Sequence, residues 1–357
     1  MKTSVLYKKI EHRRAPLLAP PPKISFFSRS RECKSMLPYS SAAEAEAALG
    51  RAMTFAEAAW LRYSATVPDH LLYCHNVAIL LVVYTLAPLP LALLEQLTPQ
   101  AVTSPIKLQP RVRLSEAAVF RCYLDTAWVL LLTVGMLGIV SFPVVKMVGI
   151  RTGLPLPTLG EAAAQLAVYL LVEDYLGYWI HRLLHTKWGY EKIHHVHHEF
   201  SAPFSYAAPY AHWAEVLILG VPSFTGPAIV PCHITILWLW FVLRHIEAID
   251  IHSGFEFPFN PTRFIPFYGG AEFHDYHHRV GEKSQSNFSS VFTFCDFLYG
   301  TDKGYRYHKA SLAKIWQTQR CGFPNGKANL ICWNKPRAMV ATGVSAPRWS
   351  PWEVRAC

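Results

Sequence analysis

The chain has 357 residues, 52% of them hydrophobic and only 16% charged, with 11 Trp, 17 Tyr and 20 Phe. That is lean in charge for a soluble domain of this length and points to a membrane protein. The net charge of +10 does not describe a nucleic-acid groove: nine Lys/Arg against two Glu lie in residues 1–35 and six against one in 316–357, which leaves −2 between them.

In chain order, residues 1–35 read as a basic, disordered extension ahead of the folded protein at Met36, although an organelle transit peptide shares this composition. Charge confined to such tails suits anionic lipid or cytosol rather than DNA. Residues 42–60 have the pattern of a partly amphipathic helix. Residues 77–94 carry no charged side chain and form a first candidate span, broken by Pro88 and Pro90. A polar connector at 103–113 leads to a second uncharged run at 126–145. A helical pattern begins near Glu161, and its Gln165, Glu173 and Asp174 favour a helix embedded from the cytosolic side over a full span. Residues 216–243 carry no Lys, Arg, Asp or Glu and one histidine, His233, and are interrupted by Pro222, Pro227 and Pro231, which suits a hairpin of two short helices. The eight cysteines stand singly, with no CxxC pair, so neither a disulfide framework nor a zinc finger is expected. The expected fold is all-α and integral to the membrane, with about four membrane helices and a cytosolic histidine-rich helical cap.

The histidines are grouped. His181 and His185 are four apart, so on a helix their rings share a face, with Asp174 seven residues earlier on the same stripe. His194, His197 and His198 follow the i, i+3, i+4 pattern, as do His274, His277 and His278. Eight imidazoles are too many for one ion, since a structural zinc takes four ligands and a catalytic one three. Two metals fit better, and imidazole alone does not choose among Zn, Cu, Fe and Ni. The isolated His12, His70, His75, His233, His245 and His308 read as ordinary core or surface histidines.

These three boxes in this order resemble the membrane fatty-acid hydroxylase superfamily of di-iron oxygenases. The stretches "HRLLHTKWGYEKIHHVHHEFSAPF", "PYAHWAEVLILG", "HSGFEFP", "FIPFYGGAEFHDYHH" and "SNFSSVFTFCDFLYGTDKGYR" resemble the sterol C4-methyl oxidases, or methylsterol monooxygenases, within it. "MLPYSSAAEAEAALGRAMTFAEAAW", followed by "LLYCHN", is similar to the plant form that acts on 4,4-dimethylsterols. The likeness covers roughly residues 36–308 and fails in residues 1–35 and in a divergent tail at 311–357, leaving a membrane oxygenase domain at 36–310.

The resemblance implies two irons per chain, held by His181, His185, His194, His197, His198, His274, His277 and His278, with His252 at a position that often supplies a further ligand. His212 falls in a shared motif, but Trp213 stands where the family commonly has proline, so His212 is expected behind the ligands rather than among them. His195 points off the ligand face and is expected behind the ligands, and Asp174, Glu173, Glu199 and Asp275 are candidate partners for their outer nitrogens. Iron suits oxygen insertion into an unactivated methyl group, because zinc has no accessible redox change. The implied reaction oxidises a sterol 4α-methyl to hydroxymethyl, aldehyde and carboxylate, with a separate decarboxylating dehydrogenase to follow. No HPGG haem motif and no convincing GxGxxG occur in the chain, so electrons are expected from NADH through cytochrome b5 and its reductase. Arg182, Lys187, Lys192, Arg263, Arg279 and Lys283 flank the boxes and put the site on the cytosolic face, here of the endoplasmic reticulum. Trp238, Trp240 and Phe241 are candidates to wall an apolar sterol cavity, or else to form a lipid-facing belt. A fatty-acyl hydroxylase or desaturase would share the boxes, and a non-enzymatic metal-binding membrane protein would need neither cavity nor redox partner.

Overall fold

The computed structural model describes residue 39, residues 41–281 and residues 285–321. The extension at 1–35, Lys283 and most of the tail lie outside the described residues. Helices α1 (Ala42–Leu49) and α2 (Phe55–Ser64) lead in. A capping box starts α2: the Thr54 hydroxyl accepts from the Glu57 amide while the Glu57 carboxylate takes the Thr54 amide.

Helices α3 (Asp69–Leu86) and α4 (Leu89–Leu97) form one apolar rod of 29 residues with Pro88 and Pro90 at its joint. At 1.5 Å per residue it spans about 43 Å, enough to cross a bilayer with tilt. It starts eight residues before the charge-free run, because Asp69 is matched within the protein: Lys146 pairs with it at 2.9 Å and the Thr152 hydroxyl donates to it at 2.8 Å. After the short α5 (Gln100–Thr103), α6 (Glu116–Leu130), a π turn (Leu131–Gly135) and α7 (Met136–Val140) make a second rod of 25 residues. This rod ends at Val140 rather than at 145. Pro143, in the first turn of α8 (Phe142–Val148), has no N–H to continue the ladder and opens a new helix instead. Only 17% of the apolar window of each rod is buried, and Val82, Leu86, Leu132, Met136 and Ile139 face outward, so lipid is the solvent these faces require.

Helix α9 (Leu159–Leu184), capped by the Thr158 hydroxyl on the Glu161 amide, carries a buried stripe of Gln165, Tyr169, Glu173, Asp174, Tyr178 and His181. The short α10 (Lys187–Lys192) follows, and the hairpin is α11 (Trp213–Ile229) with α12 (Ile234–Ile251). Of the three prolines expected to interrupt it, only Pro231 lies at the turn; Pro222 and Pro227 are inside α11. Pro227 donates nothing to the Ser223 carbonyl one turn back, and Trp240 Nε1 donates to that oxygen instead, at 2.8 Å. Beside it, a Cβ on Gly226 would lie 2.8 Å from Tyr169 Cδ1 and 2.9 Å from Tyr169 Cα, so glycine sets the approach of α11 to α9. The Tyr169 hydroxyl closes this contact by donating to the Val230 carbonyl at 2.6 Å. Helices α13 (Gly270–Val280), α14 (Phe294–Tyr299) and α15 (Lys303–Cys321) complete the cap, with α15 running across the expected tail boundary at 310. No β-strand forms among the described residues, and Cys74, Cys122, Cys232 and Cys295 are free thiols.

Candidate metal centre

Four elements deliver the clustered histidines to one place. His181 lies in the last turn of α9 and His185 is its C-cap, His252 is the C-cap of α12, and α13 carries His274, His277 and His278. The middle box is a 3₁₀ turn (His194–Glu199) rather than the expected α-helix. Residues three apart eclipse in such a turn, and the His194 and His197 rings stack with centroids 5.4 Å apart.

All nine histidines are buried and fall into two groups: His181, His185, His194, His198 and His277; and His197, His252, His274 and His278. Within a group the ligand atoms lie within 4.8 Å of one another. The groups adjoin, with the His198 and His278 rings stacked at 4.6 Å. Sequence spacing does not predict this partition, which splits the middle and third boxes between groups.

The outer nitrogens decide what the inner ones can do. His181 Nδ1 donates to the Phe288 carbonyl at 2.7 Å, His197 Nδ1 to Tyr210 at 3.0 Å, His252 Nδ1 to Ala248 at 2.7 Å and His277 Nδ1 to Ser286 at 2.7 Å. His194 Nδ1 donates to Glu215 Oε1 at 2.7 Å. A carbonyl only accepts, so the four rings that face carbonyls carry their proton on Nδ1 and a bare lone pair on Nε2; Glu215, whose carboxyl burial holds well above the ordinary range, accepts from His194 in the same way when ionised. Yet His181 Nε2 stands 3.1 Å from His194 Nε2, and His197 Nε2 3.2 Å from His252 Nε2. Neither contact can be a hydrogen bond between neutral rings. Protonation is opposed by burial, which pushes His197 down to about 4 and holds His194, His274, His277 and His278 well below the ordinary range. Each group therefore contains facing lone pairs that a shared cation would reconcile. Two nitrogens at about 2.1 Å from one ion lie about 3.0 Å apart at a right angle. The contacts of 2.9 to 3.2 Å fit that spacing.

An apolar cavity reaches this centre. Asn76 and Leu80 of α3, Leu130 and Val134 at the π turn, Val216 and Gly220 of α11 and Phe241 and Ile251 of α12 line it, and it meets His181, His194, His197, His252 and His274.

Other expected positions are corrected. Asp174 does not support an imidazole: Oδ1 accepts from the Val291 and Phe292 amides at 3.0 Å and so pins the chain after the third box. His195 is exposed and bonds the Tyr190 carbonyl. His212 caps α11 through the Ala214 amide. Glu199 accepts from Tyr210, Glu173 from Arg244 and Asp275 from Gln109. Trp240 is consumed by the Ser223 carbonyl and Trp238 stacks on His75 at 5.7 Å; of the three aromatics only Phe241 lines the cavity. Glu215, 21 residues beyond His194 in "AHWAEVL", is a carboxylate that does hold an imidazole, and it is not among the expected site residues.

The sequence profile of the fatty acid hydroxylase family matches residues 166–301, which contain every one of the nine histidines. Very-long-chain aldehyde decarbonylase GL1-10 of Oryza sativa subsp. japonica is 70% identical over 280 residues, 78% of this chain and 93% of the relative. Methylsterol monooxygenase 1-1 of Arabidopsis thaliana is 54% identical over 80% of this chain and 96% of its own length. Methylsterol monooxygenase 1-2 of the same plant is 55% identical over 78% and 94%. No solved structure matches significantly. With relatives this close over nearly their whole length, methylsterol monooxygenases among them, and with its histidines gathered in two groups at the end of an apolar cavity, the chain belongs to the fatty acid hydroxylase family of membrane oxidoreductases.

Proposed function

We propose that this protein oxidises the 4α-methyl group of 4,4-dimethylsterols to the carboxylate at the endoplasmic reticulum, with its site on the cytosolic face. The observation that carries the reading is the apolar cavity, walled by membrane helices and ending on nine imidazoles. A cavity lined by apolar side chains of α3, α11 and α12 suits a flat apolar molecule drawn from the bilayer. Arg182, Lys187 and Lys192 beside the first two boxes support the cytosolic side.

Iron held by the two histidine groups would supply the redox activation of O₂ that a methyl C–H bond demands. The residues of the chain prepare for that ion. Burial keeps the imidazoles neutral, the carbonyls of Phe288, Tyr210, Ala248 and Ser286 fix their tautomers, and Glu215 makes His194 a stronger donor. Leu80, Leu130, Val134 and Phe241 exclude water from the bound methyl group. Each of the three oxidations takes one O₂, two electrons and two protons and releases water, with NADH, cytochrome b5 and its reductase as the electron source. A decarboxylating dehydrogenase then consumes the 4-carboxysterol.

A second reading rests on the relative named very-long-chain aldehyde decarbonylase. Reconstitution with cytochrome b5, its reductase, NADH and either a 4,4-dimethylsterol or a long-chain aldehyde separates the two. The 4-carboxysterol should accumulate with its carbon count intact. Alkane from the aldehyde, with no sterol product, would overturn the sterol reading.

A further inference from the structure

Glu215 has a second oxygen. Oε1 is taken by His194 Nδ1, while Oε2 is buried, has no hydrogen-bond partner and belongs to a residue that lines the cavity and is 1% exposed. An acceptor left so costs stability unless something donates to it. Other acceptors without partners line the same cavity, among them His245 Nε2 and Glu173 Oε2. They lie farther from the metal groups: His245 is seven residues before His252 on α12, about 10.5 Å along the axis, and Glu173 eight before His181 on α9, about 12 Å. Glu215 is in direct contact with an imidazole of the cluster.

The geometry points to Glu215 Oε2 as the acceptor for a hydroxyl carried on the substrate carbon adjacent to the one that bears the oxidised group, and so as the residue that selects a hydroxylated substrate. This rests on the sterol reading and sharpens it. In a 4-methylsterol the 3-hydroxyl sits on the ring carbon next to C4, so a methyl group brought to the histidines brings an O–H donor to the same end of the cavity. The two oxygens of Glu215 then divide the work: one orients His194, the other orients the substrate. An unsubstituted acyl chain offers this oxygen no donor, and an aldehyde presents only a carbonyl, which is another acceptor. A site built to accept from a hydroxyl discriminates strongly against an analogue without it.

The test is equilibrium binding to the iron-loaded protein in nanodiscs of three ligands: a 4,4-dimethyl-3-hydroxysterol, its 3-methyl ether and its 3-ketone. The hydroxysterol should bind about ten-fold tighter than the other two, as expected when a buried acceptor gains its missing donor. In Glu215→Gln the amide oxygen accepts from His194 and the NH₂ faces the cavity, so iron content should hold while the preference turns toward the ketone. Glu215→Asp, which draws the carboxylate back by one methylene, should weaken the preference without reversing it, and serves if the glutamine variant does not fold. Equal binding of the three sterols to the wild type, or an unchanged preference in a folded variant, would overturn the role of Glu215 and leave the sterol reading standing. Binding of none of them would overturn both.

Discussion

Replacing His252 by alanine probes the division of nine imidazoles into five and four. His252 Nε2 lies 2.9 Å from His274 Nε2 and 3.2 Å from His197 Nε2, so it is central to the smaller group. Without it that group keeps three imidazoles, and the carbonyl of Ala248 loses the Nδ1–H donor it holds at 2.7 Å. The five-membered group keeps all its nitrogens. Loss of a residue behind a metal ligand costs about 10- to 100-fold in affinity or activity, and loss of a ligand costs more. His252→Ala should therefore fall from about two irons per chain to about one, with turnover reduced beyond that range. His181→Ala leaves four imidazoles in its group and should retain iron better than His252→Ala while still losing activity. Iron measured by elemental analysis after exhaustive dialysis, alongside single-turnover sterol oxidation, reads both quantities. Two irons and ordinary turnover in His252→Ala would refute the grouping, as would a wild type that turns over with a single bound zinc.

Gly226→Ala should destabilise the protein by about 1–3 kcal/mol, since its Cβ would overlap Tyr169 at 2.8 Å; an unchanged melting temperature in detergent would contradict the close packing. Trp240→Phe should cost about 1–3 kcal/mol by stripping the Ser223 carbonyl of its donor, whereas Trp238→Phe, whose Nε1 has no partner, should cost much less in the same assay. Metal-free protein should be stable above pH 6.5 and lose stability as pH falls from there toward about 4, the value to which burial pushes His197. The sign follows from linkage: the unfolded chain takes up protons first, so each such imidazole removes about 1.4 kcal/mol per pH unit through that window. Denaturant melts showing rising stability on acidification would reverse the argument. His70→Ala should leave iron content and turnover unchanged, because this ring packs on Phe142 outside both groups.

Periodicity made the membrane rods, the hairpin and eight of the nine histidines legible, because apolar length and repeated imidazoles are local signals, whereas His252 stands alone in its segment and is marked only by the family resemblance. What escaped depends on partners far along the chain. The charge-free run at 77–94 gives no sign that the helix begins at Asp69, whose carboxylate is matched by Lys146 and Thr152 far along the chain. Asp174 shares a helical stripe with His181, which suggested that it supports the ligands, yet its carboxylate faces two amides 117 and 118 residues away. Pro222 and Pro227 resembled breaks because a proline's missing donor is visible in sequence, whereas the indole that serves the Ser223 carbonyl is not. Glu215 could have been suspected as the one carboxylate in the apolar stretch 213–229, where a charge is expensive without a partner.

The contact that holds α11 on α9 also determines what the site can be. α9 brings His181 to the centre and α11 brings Glu215, which fixes His194, so the 3.1 Å approach of His181 to His194 depends on how closely the two helices lie. Gly226 permits that closeness, and Tyr169 and Trp240 satisfy the carbonyls of Val230 and Ser223 in an apolar surrounding where water could not. A bulkier residue at 226 would spread the helices and so widen the gap between the first and second boxes. The same two helices, with α3 and α12, enclose the cavity. One packing arrangement therefore sets both the spacing of nitrogens around a metal and the width of the passage by which an apolar substrate reaches it, which is why glycine and proline positions remote from the histidines belong to the chemistry.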